Sequence, residues 1–223
     1  MQGEGPSTGR SCCFLRLGGC NLTCTWCDTP YTWDWTGISK SKVAHRPADE
    51  LHPMTVEDVT ERLTAFGTGL VVVSGGEPLS QQTRLLPVVR ALRAAGADVE
   101  IETNGTVVPA PEWAATGVRF NVSPKLTHSG VALSRRIVPG PLTAFNALAG
   151  TCFKFVCSGP DDLAEVEELV RAYGLENIWI MPRGQSPEEI AEGLRALADP
   201  VGVRRWNLTG RLHVTLWGNQ RGV

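Results

Sequence analysis

Gly18-Gly19-Cys20-Asn21-Leu22-Thr23-Cys24-Thr25-Trp26-Cys27-Asp28-Thr29 places three cysteines within eight residues. Clustered thiolates bind iron-sulfur clusters or zinc, and a structural zinc site is closed by a fourth Cys or His. No fourth ligand stands at a matching distance here, so the pattern reads as a metal centre with one open position. His45 is the nearest histidine, but it sits in a turn-rich segment and reads as a solvated side chain.

Outward from the cysteines, Cys12-Cys13-Phe14-Leu15-Arg16-Leu17 is short, apolar and bounded by glycines, which predicts a first strand. Arg16 needs a partner or ligand if that strand is buried, and merely solvates if it emerges at a sheet edge. The apolar run Leu70 to Ser74 predicts a second strand, covered on both faces, ending in Gly75-Gly76-Glu77-Pro78. Further strands are expected at Val99 to Thr103, Val118 to Val122, Cys152 to Val156 and Asn177 to Met181. Helices are expected between them: one capped by Thr55, one from Ser80 to Gly96, a short one over Pro111 to Thr116, one over Pro160 to Tyr173 and one over Pro187 to Leu197. A short helix near Leu142 to Leu148 completes the set, and the tail holds two candidate strands, around Trp206 to Leu208 and Leu212 to Trp217.

Six strands alternating with helices predict an α/β fold, a partial (β/α)6 barrel of parallel strands. Ligands collect at the carboxyl ends of such strands. The cysteines, Gly75-Gly76-Glu77, Asn104, Ser123 and Met181-Pro182 all follow strands, so the chemistry is expected on one rim. Residues 1–223 read as one domain, with a variable loop over about 30–53 and a tail over about 204–223.

Twenty-one basic and 23 acidic residues give a formal charge of −2, so no overall field recruits nucleic acid or an anionic membrane. Seven cysteines spread through 223 residues do not resemble the disulfide framework of a small secreted domain. Neither a signal segment nor a membrane-length apolar run is present, and a cytoplasmic protein is expected. Cys12, Cys13, Cys152 and Cys157 read as buried inert thiols. Lys154, mid-strand, points either into the barrel toward a carboxylate or outward to solvent. Trp33, Trp35 and Trp217 are core or the wall of a heterocycle site.

Cys20-x3-Cys24-x2-Cys27 with Trp26 before the last cysteine resembles the signature of the radical S-adenosylmethionine superfamily. That resemblance implies a 4Fe-4S cluster on Cys20, Cys24 and Cys27, with S-adenosylmethionine chelating the open iron. Gly75-Gly76-Glu77-Pro78 resembles the element that receives the methionine ammonium. Ser123-Pro124-Lys125 and Met181-Pro182-Arg183-Gly184 resemble further strand ends that contact S-adenosylmethionine.

Gln2-Gly3-Glu4-Gly5, Phe14-Leu15-Arg16-Leu17, Trp26-Cys27-Asp28-Thr29, Ser74-Gly75-Gly76-Glu77-Pro78, Glu102-Thr103-Asn104-Gly105 and the ending Trp217-Gly218-x-x-Arg221-Gly222-Val223 together resemble the 7-carboxy-7-deazaguanine synthase family over almost the whole chain. This implies a carbon-nitrogen lyase of queuosine and 7-deazapurine biosynthesis. It contracts the ring of 6-carboxy-5,6,7,8-tetrahydropterin with loss of ammonia, using Mg2+ and electrons from a flavodoxin- or ferredoxin-type reductant, as a homodimer. The resemblance assigns Trp26, Cys27, Asp28, Gly76, Glu77, Ser123, Pro124, Lys125, Met181, Pro182, Arg183 and Gly184 to S-adenosylmethionine, and Thr29 to Mg2+. It assigns Met1, Gln2, Gly3, Glu4, Arg16, Ser74 and Val223 to the pterin. Family members carry a short segment before Gln-Gly-Glu-Gly where this chain has Met1, and some carry an insertion in the cysteine motif where this chain is compact. Two other readings share the cysteines: an activase of a glycyl radical enzyme, and a zinc-stabilised binding module.

Overall fold

The computed structural model describes residues 1–218 and 220–222. Seven strands form one sheet in sequence order: β1 Cys13–Leu17, β2 Leu70–Gly75, β3 Asp98–Thr103, β4 Arg119–Val122, β5 Cys152–Cys157, β6 Ile178–Pro182 and β7 Asn207–Leu208. Every neighbouring pair is parallel, and β1 and β7 are the two edges of an unclosed barrel. The helices are α1 Pro47–Glu50, α2 Val56–Ala65, α3 Gln82–Ala94, α4 Leu133–Arg136, α5 Pro139–Asn146, α6 Leu163–Tyr173, α7 Pro187–Val203 and α8 Leu212–Trp217.

Local signals place the helix ends. The Thr55 hydroxyl accepts from the Asp58 N–H at 3.1 Å and starts α2. Ser186 and Glu189 form a reciprocal capping box at the start of α7, which satisfies two N–H groups that the helix cannot. That helix runs six residues beyond the expected Leu197, passing Pro200 inside it. Ser80 lies in a 3-10 turn, Pro78–Gln81, that precedes α3, and Pro111–Ala115 is likewise 3-10. The candidate strand at Leu212 to Trp217 is instead α8: Leu212 is tied to the N-terminal segment, its N–H donating to the Gly3 carbonyl at 2.8 Å, and among the described residues no further strand lies beyond β7 to pair with. The candidate near Trp206 to Leu208 is β7, a seventh strand beyond the six long ones.

The two faces of the sheet differ in kind. Side chains alternate across a strand, and register pairs Val73 with Ile101, Ile101 with Phe120, and Phe155 with Ile180. This apolar face packs under the helices in one continuous core, where Phe120 meets Trp113 and Phe145 edge to face at 5.9 and 5.2 Å. The opposite face carries Arg16 beside Ser74, Glu102 beside Asn121, and Lys154. The inside of the barrel is therefore polar.

Candidate active site

The cysteine loop leaves the end of β1 and is held from two sides. Toward β2, the Gly76 N–H donates to the Leu17 carbonyl at 2.9 Å and the Glu77 N–H to the Gly19 carbonyl at 2.8 Å. A Cβ on Gly76 would stand 1.8 Å from the Gly19 carbonyl oxygen, so only glycine permits this contact. Toward β3, the Asn104 amide donates to Asn21 Oδ1 and the Asn21 amide to Thr106 Oγ1, each at 2.8 Å. Arg135 grips the Asn21 carbonyl at 2.6 Å, and the Thr25 N–H donates to the Ser129 carbonyl at 2.9 Å.

Cys20, Cys24 and Cys27 gather around Leu22 and Val131. Cys24 is buried and the other two are half-buried. The Leu22 N–H points at Cys20 Sγ (3.4 Å) and the Trp33 indole N–H at Cys27 Sγ (3.3 Å). Burial pushes the Cys20 thiol up to about 11 and raises Cys24 as well, so a metal must displace protons to bind. Soft thiol donors with N–H groups aimed at two of the sulfurs fit an anionic iron-sulfur cluster. Among the described residues no three Cys, His, Asp or Glu side chains are placed to hold a single metal ion. His45 is not the solvated side chain expected: it lies 3.4 Å from Glu50 and edge-on to Tyr31, because the 30–53 loop folds back on itself.

The other rim residues surround this loop. Lys125 donates to Ser123 Oγ at 2.9 Å and stands 5.7 Å from the Trp26 ring, which stacks on His128. Pro124 lies buried between Ser123 and Lys125. Met181 and Pro182 end β6, the Arg183 N–H donates to the Cys157 carbonyl at 2.8 Å, and Gly184 is buried. Thr29 is half-buried, its hydroxyl 3.6 Å from Cys27 Sγ. Glu77 departs from the expected ammonium contact. It is fully buried, and its carboxylate accepts from the Thr103 hydroxyl (2.7 Å), the Asn104 N–H (2.7 Å) and the Leu79 N–H (2.9 Å). Burial raises its pKa, and those donors oppose the rise without cancelling it. Its carboxylate is spent on joining the ends of β2 and β3.

Inside the barrel, Gln2 donates to Glu100 (3.0 Å) and Glu102 (3.2 Å), while its own carbonyl oxygen accepts from the Gly3 and Glu4 N–H groups. Ser74 donates to Glu102 at 2.8 Å, and Arg16 to Ser74 at 3.3 Å. Arg16 thus has a partner and yet stays exposed at the β1 edge, combining the two expected alternatives. Lys154 points inward, ion-paired to Glu4 and 3.9 Å from Glu102. Gly3 lies against His213, where a Cβ would meet Nδ1 at 2.1 Å. Met1 is exposed, and Val223 lies outside the described residues.

Three features escape the sequence reading. Glu100 and Glu102 alternate with Ile101 on β3, a period-two signal of a polar inner face that was there to be read. Arg211 joins Glu4 at 2.8 Å, the Gly184 carbonyl at 2.8 Å and the Asp28 carboxylate, with no local pattern to announce it. His213 stands 4.0 Å from Glu4, its pKa lowered by burial. Of the spare cysteines, Cys13, Cys152 and Cys157 are buried, and burial pushes the last two up to about 12, whereas Cys12 is only half-buried. Of the tryptophans, Trp33 covers Cys27, and Trp217 is exposed.

The profile of the Radical SAM superfamily matches residues 15–133, more than half of the chain. A 7-carboxy-7-deazaguanine synthase of Pyrobaculum aerophilum is 40% identical over 100% of this chain and 93% of its own length. One from Rhodopirellula baltica is 32% identical over 100% of this chain and 85% of its own. The crystal structure of QueE from Escherichia coli superposes with a TM-score of 0.71 at 26% identity, covering 96% of this chain and 90% of that one. The three-cysteine loop at the mouth of an unclosed parallel barrel and these full-length likenesses lead to one conclusion: the chain belongs to the radical SAM superfamily and, within it, to the 7-carboxy-7-deazaguanine synthase family.

Proposed function

We propose that this enzyme is a carbon-nitrogen lyase that converts 6-carboxy-5,6,7,8-tetrahydropterin into 7-carboxy-7-deazaguanine, releasing ammonia, as a step toward queuosine and related 7-deazapurines. The observation that carries the reading is the polar inner face of the barrel beside the cysteine loop. Gln2, Glu4, Arg16, Ser74, Glu102 and Lys154 converge there, whereas the outer face of the same strands is apolar. A flat, polar heterocycle bearing a carboxylate suits such a lining better than a protein substrate does, which disfavours the activase reading.

When bound, the 4Fe-4S cluster and S-adenosylmethionine supply the one-electron chemistry that starts the reaction. The chain's own residues hold, orient and neutralise. Cys20, Cys24 and Cys27 provide the thiolates, and Trp26, Asp28, Gly76, Ser123, Pro124, Lys125 and Met181 to Gly184 line the S-adenosylmethionine side. Glu77 acts there by fixing the Gly76 turn against Gly19. Arg16, exposed at the edge strand with Nε and Nη2 not engaged by Ser74, pairs with the pterin carboxylate. Gln2, Gly3 and Glu4 present backbone and side-chain groups to the ring, and Met1 is a further substrate contact. The Thr29 hydroxyl offers Mg2+ a hard oxygen ligand, with substrate oxygens and water supplying the rest.

The assembly is a homodimer in the cytoplasm, and electrons come from a flavodoxin- or ferredoxin-type protein. No helix among the described residues is long and apolar enough to cross a membrane. The test is anaerobic incubation of reconstituted, reduced protein with the carboxytetrahydropterin, S-adenosylmethionine and Mg2+. Formation of 7-carboxy-7-deazaguanine, read by mass, supports the reading; S-adenosylmethionine cleavage with no deazaguanine overturns it.

A further inference from the structure

Arg211 lies between β7 and α8 and is sealed from solvent, 9% exposed. Its guanidinium reaches three segments at once: Nε donates to Glu4 Oε1 at 2.8 Å, Nη1 to the Gly184 carbonyl at 2.8 Å, and Nη2 to the Asp28 carboxylate. The backbone around it reinforces the grip on the N-terminal segment. The Gly5 N–H donates to Thr209 Oγ1 at 3.0 Å, and the Leu212 N–H to the Gly3 carbonyl at 2.8 Å. Residues 209–212 therefore hold residues 3–5 at three points.

The charges alternate from the barrel interior to the cysteine loop: Lys154, Glu4, Arg211, Asp28. Side-chain exposure is 5% at Lys154 and 37% at Asp28, so Asp28 is the end of this rail that incoming molecules meet. A guanidinium is a rigid plane with donors at fixed angles, so a shift of Asp28 at Nη2 turns Nε against Glu4.

We propose that Arg211 is a positioning residue that couples the two ligand sites. Fixing Asp28 and Gly184 on one side fixes Glu4 and the Gln2 to Gly5 segment on the other, so each ligand raises the affinity for its partner. The inference rests on the assignment above of Asp28 and Gly184 to S-adenosylmethionine and of Glu4 to the pterin. The physical basis is one rigid group shared by both sites: a ligand that sets Asp28 against Nη2 also sets Glu4 against Nε. Linkage makes the effect reciprocal, so both affinities change by one factor.

The test measures S-adenosylmethionine affinity by calorimetry on anaerobically reconstituted protein, with the cluster left oxidised so that no turnover occurs, with and without saturating 6-carboxytetrahydropterin. The reciprocal titration follows. In the wild type each ligand tightens the other by about fivefold or more. In Arg211→Gln and Arg211→Lys that factor falls to near one, with iron content and circular dichroism as in the wild type. The lysine variant keeps the buried charge but not the three-way fork, which separates lost coupling from lost folding. A wild type that binds both ligands independently, or variants that keep the full factor, overturns the proposal. Failure of the wild type to bind the pterin at all overturns the functional reading and the coupling with it.

Discussion

Glu4 and Lys154 form an ion pair inside the barrel, with side chains 13% and 5% exposed. Burial alone would raise the Glu4 carboxyl, but Lys154, Arg211 and His213 outweigh it and hold it well below the usual carboxylate range. Lys154→Met leaves the buried Glu4 carboxylate without its main partner, and breaking such a pair costs about 3–5 kcal/mol. The expected outcome is a melting temperature lower by roughly 5–20 °C in a thermal scan. The pH dependence follows from the sign of the shift. A carboxyl depressed in the folded state contributes stability that is complete above its ordinary pKa, about 4.3, and is lost as pH falls below it. Denaturant midpoints of the wild type therefore fall between about pH 5 and pH 3, and those of Glu4→Gln fall less steeply. Lys154 shows what sequence can and cannot say at this scale: a cation mid-strand announces that it needs a carboxylate or water, but its direction depends on strand register, which long-range pairing sets.

The contact between the end of β2 and the cysteine loop is backbone against backbone. Gly76 has no positive φ, so its requirement for glycine is steric, set by the Gly19 carbonyl and the Cys20 N–H. Gly76→Ala forces the cysteine loop away, at a cost of about 1–3 kcal/mol, and reduces the iron that each chain takes up on reconstitution. Gly140→Ala, where nothing stands within 4 Å, takes up iron as the wild type does. In the 30–53 loop, the buried Asp34 carboxylate accepts from the N–H groups of Gly37 (2.8 Å), Ile38 (3.0 Å), Ser39 (2.7 Å) and Thr36 (3.3 Å). Burial opposes its ionisation, but these donors prevail and bring it down to about 2. Asp34→Ala unties the loop, and trypsin is expected to cut after Lys40 and Lys42 several-fold faster than in the wild type. Elements with local signals, such as α2 with its Thr55 cap and the apolar run of β2, were legible from the chain. The Asp34-centred turn is local, its donors two to five residues on, but composition alone marks the segment as loop without saying which acceptor gathers them. The alternating composition of α8 suits strand or helix, and the long-range docking of Leu212 against Gly3 decides.

The whole molecule separates two kinds of core across one sheet. Apolar side chains on the outer face pack under the helices and carry stability, while the inner face keeps charged and amide groups paired with one another. The alternating βα order made the parallel sheet and its functional rim legible, since each motif follows a strand. The charged rail through Arg211 was not legible, because it joins residues 4, 28, 184 and 211, which only the closed chain brings together.

Everything proposed for this site depends on Cys20, Cys24 and Cys27 holding an iron-sulfur cluster with one open iron. Counting iron and acid-labile sulfide per chain after anaerobic reconstitution, with Cys24→Ala as the blank, tests it most directly. About four of each are expected in the wild type, with an absorption spectrum that changes when S-adenosylmethionine is added, and neither cluster nor turnover in the variant. One zinc per chain with no sulfide, or a Cys24→Ala variant that keeps its cluster, would contradict it.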